Sequence, residues 1–236
     1  MSLQQSFAAS RFPGGVTPFR FFIAATGGGG AGRTGYPLYG GRGGGGGGTA
    51  FAIWDCCTAP TLLVTVGAGG TAVSNNDARS NGKDTVVQTI LREFDANTTN
   101  KGCYYSERYS DMLIGRGGGY SGGSFVNRTD GKGLWYPSTK GVKGAEAGDI
   151  GKDGSGCSTN FAISKLCNVA QSRSGGSKGG NDYGGGGGAS WQGEGGRGGA
   201  KNAVGNTGYS GAGGGGGGSD NKKGGNGATG VFAIYY

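Results

Sequence analysis

Residues 40–70 read GGRGGGGGGTAFAIWDCCTAPTLLVTVGAGG. A run of six glycines, Gly43 to Gly48, leads into two short apolar segments, Ala50–Trp54 and Leu62–Val66, and the second ends in Gly67-Ala68-Gly69-Gly70. The rest of the chain repeats this theme of apolar segment followed by glycine run. A glycine run has two physical readings. It is flexible coil, because glycine loses more conformational freedom on folding than any other residue. Or it is a polyproline-II-type helix, with three residues per turn, about 3.1 Å rise per residue and no internal hydrogen bonds. In the second reading every N–H and C=O points outward, and helices laid side by side satisfy one another. Backbones approach that closely only where no Cβ intervenes, with Cα–H···O contacts adding a second-order term. Six residues would then make two turns, roughly 19 Å.

The 236 residues include 62 glycines and 5 prolines, over a quarter of the chain. Leu, Ile, Val and Phe together supply about 15%. By composition alone such a chain belongs with low-complexity, disordered sequences. Its apolar residues, however, are gathered into strand-like runs rather than scattered, which argues for order. The fold class expected is mainly β: short strands with packed polyglycine-II helices and little α-helix, since glycine disfavours helix by about 1 kcal/mol per residue.

Strands are expected at residues 19–25, 50–54, 62–66, 85–90 and 231–236, each rich in aromatic and β-branched residues. Residues 1–18 read as a lead-in and 19–236 as one glycine-rich domain, because no polar linker separates differently composed halves. Polar excursions are expected at 71–84, 95–113 and 124–140, with residues 91–113 irregular. Residues 159–170 fit a strand or a helical turn equally well. In GVKGAEAGDIGKDGSG, residues 141–156, glycine falls at 141, 144, 148, 151 and 154, close to a period of three. That is the register of a three-residue-per-turn helix with one face buried. The structural glycines singled out are Gly43, Gly45, Gly48, Gly184, Gly188, Gly213, Gly216 and Gly218.

Catalysis finds little support. The chain has no histidine, the commonest general base and metal ligand. Gly119-Tyr120-Ser121-Gly122-Gly123 matches a nucleophile elbow, but such a match is cheap in so much glycine and lacks its strand–turn–helix context. No phosphate-binding GxxxxGK[ST] occurs, and the glycine runs sit in no βαβ unit. The five cysteines, Cys56, Cys57, Cys103, Cys157 and Cys167, are odd in number and match no zinc spacing. Without a visible secretory signal they read as reduced thiols, and the sequons at Asn97 and Asn127 read as chance. No enzyme, cofactor or metal is expected.

The net charge of +8 suits either a polyanion partner or simple solubility. Gly-Arg-Gly-Gly occurs at 41–44, 115–118 and 196–199, an element common in RNA-binding tails. Such tails are usually disordered, and we prefer to read each arginine as the outward residue of a glycine helix. The candidate receptor- or partner-binding residues are Trp135 and Tyr136, a side-by-side aromatic pair in a polar segment, together with Tyr104, Tyr105, Arg108 and Tyr109. An aromatic pair can stack on a sugar or anchor a protein contact.

The order PGGVTPFRFFIAATGGGGAG, GGRGGGGGG, TLLVTVGAGG, GKDTVVQT and a terminal GAGGGGGG…GGNGATGVFAIYY resembles the glycine-rich domain of bacteriophage tail-fibre and adhesin proteins, over most of residues 12–236. The resemblance implies polyglycine-II packing, with the loops between helices forming a host-recognition surface on the virion. It implies a protein made in the host cytoplasm. Its partners would be other virion proteins and a host receptor, glycan or outer-membrane protein. Self-association is compatible with it; specific nucleic-acid binding and membrane insertion are not expected. Only about a dozen residues precede the matched region, so no separate fibre-attachment module is expected. That raises an alternative, a minor capsid or decoration protein of a large DNA virus; the Gly-Arg-Gly-Gly elements leave a further one, an RNA-binding glycine/arginine protein.

Overall fold

The computed structural model describes residues 3–5, 19–56, 62–73, 81–94, 105–119, 140–164 and 167–235. These residues contain no helix; the regular structure is antiparallel strand, and the chain is mainly β. The strands are β1 (Leu3–Gln5), β2 (Phe19–Thr26), β3 (Thr49–Cys56), β4 (Leu62–Thr65), β5 (Thr85–Phe94), β6 (Tyr105–Gly115), β7 (Lys140–Val142), β8 (Cys157–Ser164), β9 (Cys167–Arg173) and β10 (Val231–Tyr235). One sheet has the order β1-β4-β5-β6, a second β10-β2-β3-β7, and β8 pairs with β9. All five expected strands are present. Residues 3–5 of the lead-in are tied into the first sheet, with Leu3 opposite Val64.

One reading of the sequence is corrected and one left open is decided. Residues 91–94 and 105–113 are not irregular: they extend β5 and form β6, with Tyr105 opposite Phe94 and Thr85 opposite Gly115. The alternation that marks a strand is hidden because YSERYSD is polar on both faces. It is also broken where the register shifts between Val87 and Gln88, which face Leu113 and Asp111 and leave Met112 as the extra residue. The ambiguous stretch 159–170 is resolved as the β8–β9 hairpin.

The period of two along β2 and β3 decides the layering. Ile23, Ala25 and Ala50 face the first sheet, where they close a core with Leu62, Val87 and Leu113, flanked by Phe232 and Ile234. Ala24 and Phe51 point the other way, onto Ala145, Cys157, Ala189 and Trp191. The Phe51 and Trp191 rings meet edge to face with centroids 4.7 Å apart. The second sheet is thus buried on both faces, which is why β2 reads as an apolar run rather than an alternating one.

At one end of the sheets the backbone changes regime. Thr26 pairs with Thr49, Val231 with Thr26 and Thr49 with Val142, and each continues into glycine-rich chain. Four fully buried hydroxyl residues, Thr26, Thr49, Thr85 and Ser190, cap this boundary. The Thr26 and Thr49 hydroxyls lie 2.8 Å apart. Thr85 Oγ1 donates to the Thr26 carbonyl at 2.7 Å and accepts from the Gly67 N–H at 2.9 Å. Buried hydroxyls here satisfy backbone groups that the ladder no longer reaches.

Beyond the boundary the glycine runs bond to one another with a repeat of three. Gly43 and Gly46 donate to Gly148 and Ala145; Gly44 and Gly47 to Gly214 and Gly211; Gly45 and Gly48 to Gly119 and Arg116, all at 2.7–3.0 Å. Each third residue turns to the same neighbour, so three segments are addressed in rotation. The run 213–218 does the same: Gly213 and Gly216 donate to Gly188 and Gly185, Gly214 and Gly217 to Gly30 and Arg33, Gly215 and Gly218 to Asn206 and Ala203. It also accepts from Gly41, Gly44, Gly196, Gly199 and Gly225. The near-period of three at 141–154 has the same meaning, since Ala145, Gly148 and Gly151 donate to Ala189, Gly186 and Tyr183. All eight glycines singled out from the sequence donate to a neighbouring run.

Glycine is required here for space rather than for dihedral freedom. Among the described glycines only Gly151, Gly180 and Gly211 have positive φ. A Cβ at Gly44 would lie 2.1 Å from the Gly30 carbonyl oxygen, at Gly213 1.9 Å from that of Gly44, and at Gly216 2.0 Å from that of Gly41.

Candidate functional site

The glycine runs leave the sheets in one direction, and the turns that join them gather at the far, distal end. These are residues 36–39, 149–152, 180–183, 200–203 and 219–222. The first four are closed by backbone bonds: Tyr36 N–H to the Tyr39 carbonyl, Lys152 to Asp149, Tyr183 to Gly180 and Ala203 to Ala200. Contacts between turns make them one surface. Asp220 N–H donates to the Pro37 carbonyl at 3.3 Å, Gly40 to Asp182 at 2.9 Å, Gly151 to Tyr183 at 2.9 Å and Gly218 to Ala203 at 2.8 Å. Arg42 and Asp149 add an ion pair at 2.6 Å.

The side chains on this surface differ from those of the runs beneath. Leu38 is 75% and Tyr39 55% exposed, beside a guanidinium–ring pair in which Arg33 stands 4.7 Å from the Tyr36 centroid. Asp182, Lys201, Asn202, Asp220, Asn221 and Lys223 are exposed around them. The tight packing below holds the turns in place, so the surface is set on a rigid base, as recognition residues require.

Of the candidates drawn from the sequence, Trp135, Tyr136 and Tyr104 lie outside the described residues, as do 74–80, 95–104 and 124–139 of the expected excursions. Tyr105, Arg108 and Tyr109 are not in a loop; they stand on β6 opposite Phe94, Leu91 and Ile90. Their half of the β5–β6 hairpin lies away from Thr85 and Gly115, where the glycine-rich chain begins, so the structure does not bring them to the distal turns. The distal residues were missed because each turn is only a few residues long. The available signal was a short aromatic or polar interruption of a glycine run, TGYPLYG at 34–40 and SDNKK at 219–223.

The three Gly-Arg-Gly-Gly arginines are half-buried or exposed at the margin of the runs. Arg42 pairs with Asp149, and Arg116 pairs with Asp84 at 2.7 Å. The second Asp84 oxygen accepts the Gly117 N–H at 2.8 Å. Cys157 is buried, and desolvation raises the pKa of its thiol, which makes it a poor nucleophile at neutral pH. Among the described residues no group of His, Cys, Asp and Glu could hold a metal ion, and no helix is long and apolar enough to cross a membrane.

No curated protein matches the chain. A family model described as a glycine-rich domain matches residues 2–236. The match spans the strands and the glycine runs alike, and the chain belongs to this glycine-rich domain family.

Proposed function

We propose that the chain is a virion-surface recognition protein of the tail-fibre or adhesin type. In this reading the glycine runs are polyglycine-II helices that act as a rigid spacer, and the distal turns meet the host receptor. The observation that carries it is the convergence of the turns 36–39, 149–152, 180–183, 200–203 and 219–222 on one end, cross-tied by backbone hydrogen bonds. The exposed, chemically varied side chains on these turns stand on a packed glycine scaffold, which suits a recognition surface. The bond repeat of three supports the helix assignment, because three residues per turn is the geometry of polyglycine II.

The test is binding of the fluorescently labelled chain to a panel of bacteria, in competition with a phage that carries it. Saturable binding blocked by the phage is expected. Uniform absence of binding to cells, with the chain instead integral to a capsid lattice, would overturn the reading.

A further inference from the structure

Four described non-glycine residues have left-handed backbone: Asn202 (φ 58°), Ser210 (42°), Asp220 (57°) and Asn221 (56°). Three of them, Asn202, Asp220 and Asn221, are on the distal turns and exposed. Glycine adopts this conformation at the least cost, and glycine occupies 62 of 236 positions. The chain nevertheless places amide and carboxylate side chains at these corners. Asparagine and aspartate are the non-glycine residues that tolerate the conformation best, so the corners accept polar groups at small strain. None of the three side chains makes a hydrogen bond or ion pair among the described residues. Tyr39 and Leu38 stand beside them, since the Asp220 N–H bonds the Pro37 carbonyl and Gly35 N–H bonds that of Lys222.

The chemistry of the patch selects among ligands. Although the chain carries +8, the exposed charges across the distal surface are mixed, Asp149, Asp182 and Asp220 against Lys152, Lys201 and Lys223, and the Asp220 carboxylate repels an anion at this corner. Aspartate and lysine are depleted from protein–protein interface cores, which disfavours a protein. An exposed ring edged by carboxamides and carboxylates suits a sugar. The ring covers the C–H face, the carboxylate accepts from hydroxyls, and the amide both donates and accepts.

We propose that turns 36–39, 200–203 and 219–222 form a subsite for an uncharged saccharide. The Tyr39 ring stacks on the sugar, and Asn202, Asp220 and Asn221 bond its hydroxyls. The proposal rests on the recognition reading above and names the ligand class of that surface.

The experiment is saturation-transfer NMR of the chain with glucose, galactose and mannose oligosaccharides. Transfer to ring protons of at least one is expected. Affinity should fall at least about tenfold in Tyr39→Ala and in the double variant Asp220→Gly with Asn221→Gly. The glycine variant should melt no lower than the parent, because glycine relieves the left-handed corners. Absence of transfer, or transfer unchanged in both variants, overturns the proposal; Tyr39→Ala decides if the glycine variant does not fold. Periodate oxidation of the bacterial surface separates the two readings. Cell binding that survives oxidation overturns the saccharide and leaves recognition standing, whereas no cell binding at all removes both.

Discussion

Replacing Gly216 by alanine tests the packing of the glycine runs most directly. Its φ is not positive, so on conformational grounds alone alanine should stabilise by roughly 0.4–1 kcal/mol through the unfolded chain. The structure requires the opposite sign. A Cβ at 216 would stand 2.0 Å from the Gly41 oxygen, 2.5 Å from its carbonyl carbon and 2.7 Å from the Arg42 oxygen. All three are backbone atoms, so no rotamer change relieves the clash, and the runs must part by more than about 1 Å to restore van der Waals separation. That displacement acts on the bonds Gly41 to Gly217, Gly44 to Gly214 and Gly185 to Gly41, at 2.7–2.9 Å. Each buried amide or carbonyl left unpaired costs about 1–3 kcal/mol. Three such losses, less the gain from the unfolded chain, give a destabilisation of roughly 2–8 kcal/mol. For a chain of this size even the lower figure lowers Tm by roughly 4–8 °C. Differential scanning calorimetry of Gly216→Ala beside Gly156→Ala reads it. At Gly156 the nearest atom, the Arg173 carbonyl oxygen, is 2.9 Å away and the next 3.9 Å, so a shift of a few tenths of an ångström relieves the contact and this control should cost far less than Gly216→Ala. Equal melting of Gly216→Ala and the parent would refute the close-packed account.

Four other outcomes follow from the same geometry. Phe51→Ala removes a fully buried ring that meets Trp191 and should cost about 3–5 kcal/mol in chemical denaturation. Ser190→Ala removes the oxygen that accepts from Gly193 N–H at 2.8 Å and donates to the Ser210 carbonyl at 2.6 Å; a loss of about 1–3 kcal/mol is expected, and a neutral result would show that other groups satisfy this turn. Cys157 should react with iodoacetamide far more slowly in the folded chain than in urea. Because burial raises its pKa, the protonated thiol favours the fold below the unfolded-state value near 8.5, and that contribution fades as pH rises through the folded value. Stability that instead grows between about pH 8 and 10 on account of Cys157, by comparison with Cys157→Ala, contradicts the sign. Finally, a crystal structure should give residues 43–48 and 213–218 φ near about −75° and ψ near about +145°; a far-UV spectrum dominated by α-helix would exclude it.

The sequence by itself determined the mainly β class and five strands, read at 19–25, 50–54, 62–66, 85–90 and 231–236, because their apolar, aromatic and β-branched residues are local signals. It also located the glycine runs and the near-period of three at 141–154. It did not determine β6, where a register shift and polar residues on both faces hide the alternation. Tertiary structure alone decided which runs lie together. Gly28 bonds Lys83 and Gly44 bonds Gly214, partners far apart in the chain. A glycine has no side chain to specify its neighbour, so the choice is made by the sheets that aim the runs and by the backbone groups that each run must satisfy. The same holds for the distal surface. Tyr39, Asn202 and Asp220 are scattered through the sequence and meet only because the runs beneath them pack side by side.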